Sequence, residues 1–330
     1  MTKTSERKQQ VLEILHNTDD YISGQELSDK FGVSRTTIWK YIKGLREQGY
    51  QIESSSKLGY RLIKAPDILS PEEIKRDLET KILGREIIYQ ERVDSTNNLA
   101  ETEARKGAKE GTVIIAKEQT GGKGRLNREY FCPPGGIWFS VILRPEIKPA
   151  FASQLNFIIA VALAKTIDKL TKLEPGIKWP NDILINGKKV SGILTEMNAE
   201  IDKVNHIILG VGINLNIPLV KFPNELLEKA TSIQEELGRK VLKLDFFLRL
   251  LAELENEYIR LKEEGFKSVL TEWREYNVTL GQKVNVNNMR EILTGRAIDV
   301  DDEGGLILEL DSGDRQRVVA GDVTLEGEYL

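Results

Sequence analysis

The pattern of apolar and polar positions divides the chain into three stretches of different character. In the first, Val11, Leu12 and Leu15 share one face of a helix over Arg7–His16. Ser23-Gly-Gln-Glu26 has capping-box spacing and predicts a second short helix running through Phe31. Gly32 permits a tight turn, and Ser34 caps a third helix that runs to about Gln48. On that helix Ile38, Ile42 and Leu45 fall at i, i+4 and i+7 and face the core. Thr36, Lys40 and Lys43 recur with the same spacing on the opposite side. Tyr50–Ile63 follows, with Ser54-Ser-Ser and Leu58-Gly59 between extended runs, and reads as a hairpin wing.

Lys64-Ala-Pro66 and Leu69-Ser-Pro71 interrupt regular structure and mark a boundary, after which Pro71-Glu-Glu opens a new helix. From there to about Tyr276 strand and helix patterns mix. Extended segments are expected over Glu86–Gln90, Thr112–Glu118, Gly136–Leu143, Gly176–Ile185, Lys189–Met197 and His206–Leu215. Helices are expected over Ser95–Lys106, Ala152–Leu173, Leu244–Glu264 and Phe266–Tyr276. Successive strands without helices between them point to a mixed, largely antiparallel sheet, an α+β layer rather than a doubly wound one. In the third stretch, Lys283–Val286, Gly295–Ile298, Leu306–Leu310 and Arg317–Val319 alternate with turns at Gly281, Gly304-Gly305 and Gly313, which predicts a small all-β module. The expected domains are residues 1–65, 66–276 and 277–330.

Composition narrows the chemistry. With 40% hydrophobic and 30% charged residues, the 330-residue chain has the balance of a globular protein of about two or three domains. The net charge is −4, but residues 1–65 hold eleven Lys and Arg against eight Asp and Glu, so this segment carries +3 and the remainder −7. A locally basic N-terminus fits contact with DNA. We expect no stretch near the roughly 20 continuous apolar residues of a membrane span. The segment MTKTSERKQQ lacks a signal-peptide core, so a cytoplasmic location is expected. One cysteine, Cys132, excludes an internal disulfide and a four-thiolate zinc site, and only His16 and His206 are available for histidine chemistry. Any chemistry here is then expected to rest on Lys, Arg, carboxylates and backbone amides, a set suited to phosphate.

The strongest motif is Gln119-Thr-Gly-Gly-Lys-Gly-Arg125-Leu-Asn-Arg128, directly after a strand. Its glycines allow positive φ and close approach, so amides can converge on a phosphate that the cations neutralise. Alone, the loop also fits an exposed basic hairpin tip. It is not a Walker loop, since Gly122-Lys123 is followed by Gly124. Nor is it a dinucleotide fingerprint, since Asn127 stands where the third Gly belongs. A second cluster is Lys178-Trp-Pro-Asn-Asp182 followed by Lys189-Val-Ser-Gly-Ile-Leu-Thr-Glu196. The hairpin signal Asn186-Gly187 lies between them and can bring Asp182 and Lys189 together. A Lys held by a carboxylate beside a phosphate loop can stabilise charge at a reacting centre, although one surface pair by itself is worth little. Asp94-Ser-Thr-Asn97 fits a helix cap as well as a site, and Gly210-Val-Gly-Ile-Asn214 fits a bulged strand.

A helix with an apolar inner stripe and a Thr/Lys outer stripe can enter a major groove. Helix, helix-turn-helix and hairpin in this order resemble the winged helix-turn-helix of bacterial repressors, with Arg35, Thr36, Thr37, Lys40 and Lys43 as the DNA-binding set. Taken with the downstream motifs in their order, the chain resembles the biotin protein ligase family in its bifunctional class, ligase plus biotin operon repressor. The resemblance covers the catalytic stretch from about Ser70 to Tyr276 and both flanks. It implies a central mixed-sheet catalytic domain of the biotin/lipoate ligase type (class II synthetase-like) and a C-terminal SH3-like small β-barrel.

The same resemblance implies a two-step reaction, from biotin and ATP to biotinyl-5′-AMP and then to one lysine of a biotin carboxyl carrier protein, with Mg²⁺ bound to substrate. Ser95, Thr96, Asn97 and Gln119 would line the biotin pocket, and Gly122, Lys123, Gly124 and Arg125 would fold over biotin and phosphate. Lys189 would contact the carboxylate and the acyl-phosphate. Arg125, Arg128, Tyr130, Asn181, Asp182 and Asn214 would serve the nucleotide. Lys189, Arg125 and Asp182 form the catalytic set, with Asp182 either drawing a proton from the acceptor lysine or holding Arg125 or Mg²⁺. The adenylate would promote a homodimer that places two recognition helices on operator DNA, with no role for a membrane. The loop departs from the family pattern: Lys123 replaces an Arg and loses its bidentate fork, Asn127 replaces a Gly, and Tyr130 replaces a Trp. Asn127 is expected to tolerate left-handed φ in that position. The competing readings are a sensor without catalysis, which needs no phosphate cradle, a lipoate ligase on the related fold, and a ligase that has lost DNA binding.

Overall fold

The computed structural model of the chain describes residues 3–288 and 291–325, without the side chains of residues 3–5 and 127. It divides into two compact units, Met1–Ile68 and Leu69–Leu330. In the first unit, helices α1 (Lys3–His16), α2 (Gly24–Phe31) and α3 (Arg35–Glu47) precede a two-stranded antiparallel wing, β1 (Gln51–Ser55) and β2 (Gly59–Lys64). The capping box forms as expected. Ser23 Oγ accepts from the Glu26 amide, and the Glu26 carboxylate accepts from the Ser23 amide. Gly32 ends α2 in the left-handed region at φ 60°. Val11, Leu12 and Leu15 of α1 meet Ile38, Ile42 and Leu45 of α3 in one buried cluster, to which Tyr41 also belongs.

The second unit opens with α4 (Pro71–Asp77), its proline in the first turn and Ser70 as cap. Next come β3 (Ile87–Val93), α5 (Thr96–Arg105), β4 (Val113–Gln119), β5 (Ile137–Leu143) and α6 (Gln154–Thr171). Then β6 (Gly176–Lys178), β7 (Asp182–Ile185), β8 (Lys188–Ala199) and β9 (Val204–Ile213) complete the sheet, followed by α7 (Ile233–Leu237), α8 (Lys243–Glu264) and α9 (Phe266–Tyr276). The strand order is β3-β4-β5-β9-β8-β7-β6, with β3 and β4 parallel and every other neighbour antiparallel. This is the mixed, largely antiparallel sheet read from the sequence. One expected strand, Gly176–Ile185, is instead two. Pro180 has no N–H for a ladder, and the chain turns there through a cis Trp179–Pro180 peptide and an Asn181 N to Lys178 O bond of 3.2 Å.

The sheet's two faces carry different cargo. Ile207, Leu209, Val211 and Ile213 of β9 point into the large core with α6, α8 and α9. The residues between them point the other way: Ile208 packs under α5, and Gly210 and Gly212 line a cavity. α6 is buried along most of its length. The stretch Pro149–Thr171, which contains α6, is long and apolar enough to cross a membrane by length and composition, although Gln154, Asn156, Lys165 and Asp168 interrupt it and leave no continuous apolar run of that length. Its apolarity has another cause, since 72% of that window is buried as the central core helix.

After Tyr276, strands β10 (Lys283–Asn287), β11 (Ile292–Val300), β12 (Leu306–Leu310), β13 (Arg315–Val318) and β14 (Asp322–Leu325) form an antiparallel sheet in the order β13-β12-β11-β10-β14. The last of these strands was not legible in the sequence. The sheet is tied to the seven-stranded layer by Trp179, whose indole N–H donates to Gly304 O at 3.0 Å while its amide donates to Thr279 Oγ1 at 2.9 Å.

Candidate active site and nucleic-acid interface

A cavity of about 160 Å³ opens on the α5 face of the sheet, walled by the start of α5, the loop after β4, and β7, β8 and β9. Its floor exists because three strand positions lack a side chain. A Cβ on Gly210 would stand 2.0 Å from Asn97 Oδ1, and Cβ atoms on Gly212 and Gly192 would stand 2.6 and 2.8 Å from the Tyr130 ring. Gly210 and Gly212 lie in regular register opposite Ser140 and Trp138, so the bulge that Gly210–Asn214 had suggested is absent. The glycines are there for close approach.

One wall is a buried polar chain. Ser140, the one polar residue in the otherwise apolar β5, donates to Asn97 Oδ1 at 2.6 Å and lies 2.8 Å from Thr96 Oγ1. Asn97 Nδ2 donates to Glu196 Oε2 at 2.7 Å. The free amide of Thr96 at the start of α5 donates to Gln119 Oε1 at 2.6 Å, and Gln119 Nε2 donates to Cys132 Sγ at 2.9 Å. Ser95 takes the N-cap position without a side-chain cap bond, so Ser95, Thr96 and Asn97 turn to the cavity rather than closing the helix. Burial pushes the Cys132 thiol up to about 12, against a smaller opposing effect of Gln119.

The basic loop folds as a hairpin from Gly122 to Tyr130. The Tyr130 amide donates to Gly122 O at 2.8 Å and the Gly124 amide to Arg128 O at 2.7 Å, while Gly121 N is taken by Asp94 O at 2.8 Å. The Gly124 amide thus serves the loop itself and the Gly121 amide is taken by Asp94, so these two are bonded within the protein, while Lys123, Arg125 and Arg128 supply the loop's positive charge. The glycines here avoid the left-handed region. Leu126 occupies it, at φ 56°, rather than Asn127, whose side chain lies outside the described residues. Gly122 is needed for space: a Cβ there would stand 2.4 Å from Tyr130 O and 2.5 Å from Cys132 Sγ.

Each cation meets a different partner. Arg125 donates from one Nη to Asn181 Oδ1 at 3.2 Å and Gly321 O at 3.1 Å. Burial draws its pKa down against the pull of Asp322 and Asp182. Arg128 pairs with Asp322 at 2.5 Å, and Lys123 stands 3.8 Å from Glu196. Lys189 Nζ lies 2.6 Å from Asp182 Oδ1 and 5.5 Å from the centre of the Tyr130 ring. The turn at Asn186 (φ 51°) and Gly187 (φ 76°) forms as expected, but it does not by itself make this pair. A register shift between Ile183 and Leu184 sets Leu184 opposite Lys189 instead of Val190 and brings Lys189 onto the face of Asp182. Tyr130 lies across Gly192 and Gly212 with its hydroxyl donating to Gly212 O at 3.2 Å, and burial raises its pKa well above the ordinary range.

Of the residues singled out in the sequence, Ser95, Thr96, Asn97, Gln119, Lys123, Gly124, Arg125, Arg128, Tyr130, Asn181, Asp182 and Lys189 border the cavity. Gly122 supports the loop from behind. Asn214 stays out of the wall; it is buried and donates from Nδ2 to Thr231 O at 3.0 Å. Sequence reasoning missed Ser140, although a lone hydroxyl in a wholly apolar strand was a usable signal. It also missed Asp322 and Gly321, which reach the loop from a distant sheet and leave no local mark.

In the first unit, Arg35, Thr36, Lys40 and Lys43 are exposed on α3 opposite its buried stripe. Thr37 is half-buried, with its hydroxyl 2.9 Å from Ser34 Oγ and its amide donating to that cap. Arg46 donates to Ile52 O and Ser54 Oγ and fastens the wing to the end of α3.

Comparison with known proteins gives matches along most of the chain. Residues 89–214 match the Biotin/lipoate A/B protein ligase family, 7–61 an HTH domain, and 279–325 the biotin protein ligase C-terminal domain. The chain is 40% identical to the bifunctional ligase/repressor BirA of Bacillus subtilis (strain 168), over 93% of its own length and 94% of the relative's. It is 27% identical to the bifunctional ligase/repressor BirA of Escherichia coli (strain K12), covering 88% and 89%. Among solved structures, the biotin protein ligase from Aquifex aeolicus in complex with biotin and ATP superposes with a TM-score of 0.64 at 27% identity, covering 73% of this chain and 99% of that one.

Proposed function

The chain belongs to the biotin protein ligase family, in its bifunctional ligase/repressor class, and from that premise we propose how its residues divide the work. The protein joins biotin to protein at the expense of ATP and carries a helix-turn-helix for repression. We assign the catalytic segment to residues 66–276, the DNA-binding segment to 1–65, and to 277–330 the family's small SH3-like barrel.

The observation that carries the assignment is the convergence of Lys189 and Asp182, 2.6 Å apart, with three loop cations and a buried amide-hydroxyl wall on one small cavity. Ser95, Thr96, Asn97 and Gln119 hold biotin's polar ring, with Lys123 and Gly124 over it and Gly122 supporting the loop from behind. Lys189 and Arg125 face the carboxylate as its oxygen attacks the α-phosphorus of ATP. The P–O bond to pyrophosphate breaks, and fixed cations offset the charge on the reacting oxygens. Arg128, Tyr130, Asn181 and Asp182 serve the nucleotide, and Asn214 positions the end of β9 behind them. Mg²⁺ enters as part of the ATP substrate and neutralises its phosphates. In the second step the neutral amine of a carrier lysine attacks the acyl carbon. A C–N bond forms, the bond to AMP oxygen breaks, and Asp182 accepts the amine's proton. The loop over the cavity shields the mixed anhydride from water meanwhile.

The acceptor is a biotin carboxyl carrier protein. The adenylate promotes a homodimer that sets two α3 helices on half-sites of operator DNA at biotin genes. All these partners place the protein in the cytoplasm. Asp182→Asn separates the roles of that carboxylate. Pyrophosphate release without carrier reports adenylation, and chase of preformed adenylate onto carrier reports transfer. Loss confined to transfer supports the base; loss confined to adenylation removes it.

A further inference from the structure

Apart from Glu47 at its C-terminal end, which lies 4.0 Å from the Lys43 ammonium, α3 carries one outward side chain that is neither hydroxyl nor cation. Trp39 is 50% exposed, while the other tryptophans, Trp138, Trp179 and Trp273, are at most 2% exposed. It lies one helical turn from both Arg35 and Lys43, beside the row of Thr36 and Lys40, and the Lys43 ammonium sits 5.6 Å from its ring centre. Single exposed apolar residues are ordinary on protein surfaces, and an indole elsewhere would carry no meaning. Here its surroundings are polar groups suited to phosphates and base acceptors, and the helix belongs to the HTH match at residues 7–61.

We infer that Trp39 reads DNA by apolar contact, laying its indole against the C5 methyl of a thymine at the major-groove edge, with Lys43 over the ring directed to the neighbouring phosphate. The inference rests on the DNA-binding reading given above. Among base edges in the major groove, the thymine methyl is the apolar feature, and cationic or hydroxyl side chains gain little from it. An indole gains by covering it, and the cation–π contact holds Lys43 near the backbone. Trp39 is thus a specificity-determining residue, whereas Lys40 and Lys43 supply affinity that does not depend on sequence.

The test uses the full-length protein with biotin and MgATP, and duplexes it retains from a randomised pool. Because the other tryptophans are buried, acrylamide quenching of the native protein reports on Trp39. Saturating duplex should protect it, and Trp39→Phe should lose the quenchable component. Each enriched thymine is then replaced by uracil, which removes only the methyl. Wild type should bind one such duplex about fourfold more weakly, the worth of one buried methyl-sized group. Trp39→Ala, still active in biotinylating a carrier domain, should bind thymine and uracil duplexes equally. Unchanged quenching in the saturated complex, or a uracil penalty that persists in Trp39→Ala, overturns the inference while leaving DNA binding intact. Retention of no duplex overturns the DNA-binding reading and the inference with it.

Discussion

The cavity beside β8 and β9 keeps its polar groups bonded to one another and partly out of water, whereas α3 leaves its own in solvent. On the reading proposed above both surfaces serve phosphate-bearing ligands, yet they are built by different means. In the cavity, Ser140, Asn97, Glu196, Thr96 and Gln119 are fixed by mutual hydrogen bonds over a floor of glycines. On α3, fixity comes from the opposite face, where Ile38, Tyr41, Ile42 and Leu45 are buried, and the outward side chains stand in solvent. A site for bond making needs groups held before the substrate arrives. A surface for a long polyanion needs charge at helical spacing and draws its geometry from the partner.

This contrast can be broken by substitution, and the largest effect should fall on Lys189. Lys189→Ala should slow adenylation by roughly 10²–10³-fold, the scale of losing one fixed charge-stabilising group. Pyrophosphate release measures it, and an unaltered rate would move the reaction centre elsewhere. Gly210→Ala should weaken biotin binding by about tenfold or more through overpacking against Asn97, whose Oδ1 lies 2.0 Å from the new Cβ. Calorimetry reads the affinity, and native melting behaviour would show that the fold tolerates the change. Ser140→Ala leaves Asn97 Oδ1 short of a donor and should cost about 1–3 kcal/mol of stability, measured by urea unfolding.

The helix should respond more gently. Lys40→Ala and Lys43→Ala should each lower the slope of log affinity against log salt by about 1, uniformly across sequences, in filter binding at several ionic strengths. Gly44→Ala is the counterpart of Gly210→Ala. Its Cβ would meet only Lys8 Cδ at 3.6 Å, so it should stabilise α3 by roughly 0.5–1 kcal/mol and leave biotin binding untouched. Equal damage from the two glycine substitutions would erase the distinction between the surfaces.

How much of this was legible in the sequence follows the same division. Local rules carried the first unit almost whole, because capping boxes, a left-handed glycine and i, i+4 stripes act within a few residues. In the second unit the strands, their mixed sheet and the Asn186-Gly187 turn were readable. What brings Lys189 onto Asp182's face was not, since a one-residue register shift at Ile183/Leu184 depends on pairing across strands. Gly210 and Gly212 were visible as a motif without a specific meaning: a bulged strand was one reading, and the structure uses them for clearance at the cavity floor. Asp322 and Gly321 reach Arg128 and Arg125 over nearly two hundred residues of chain. No local pattern encodes such a contact.

The central claim, that this cavity joins biotin to a carrier lysine, is tested most directly by mass. The protein is mixed with biotin, MgATP and a biotin carboxyl carrier domain, and the carrier is weighed. The carrier should gain one biotinyl group, and Lys189→Ala should abolish that gain. A folded protein that leaves a competent carrier unchanged would contradict it and reduce the cavity to a sensor.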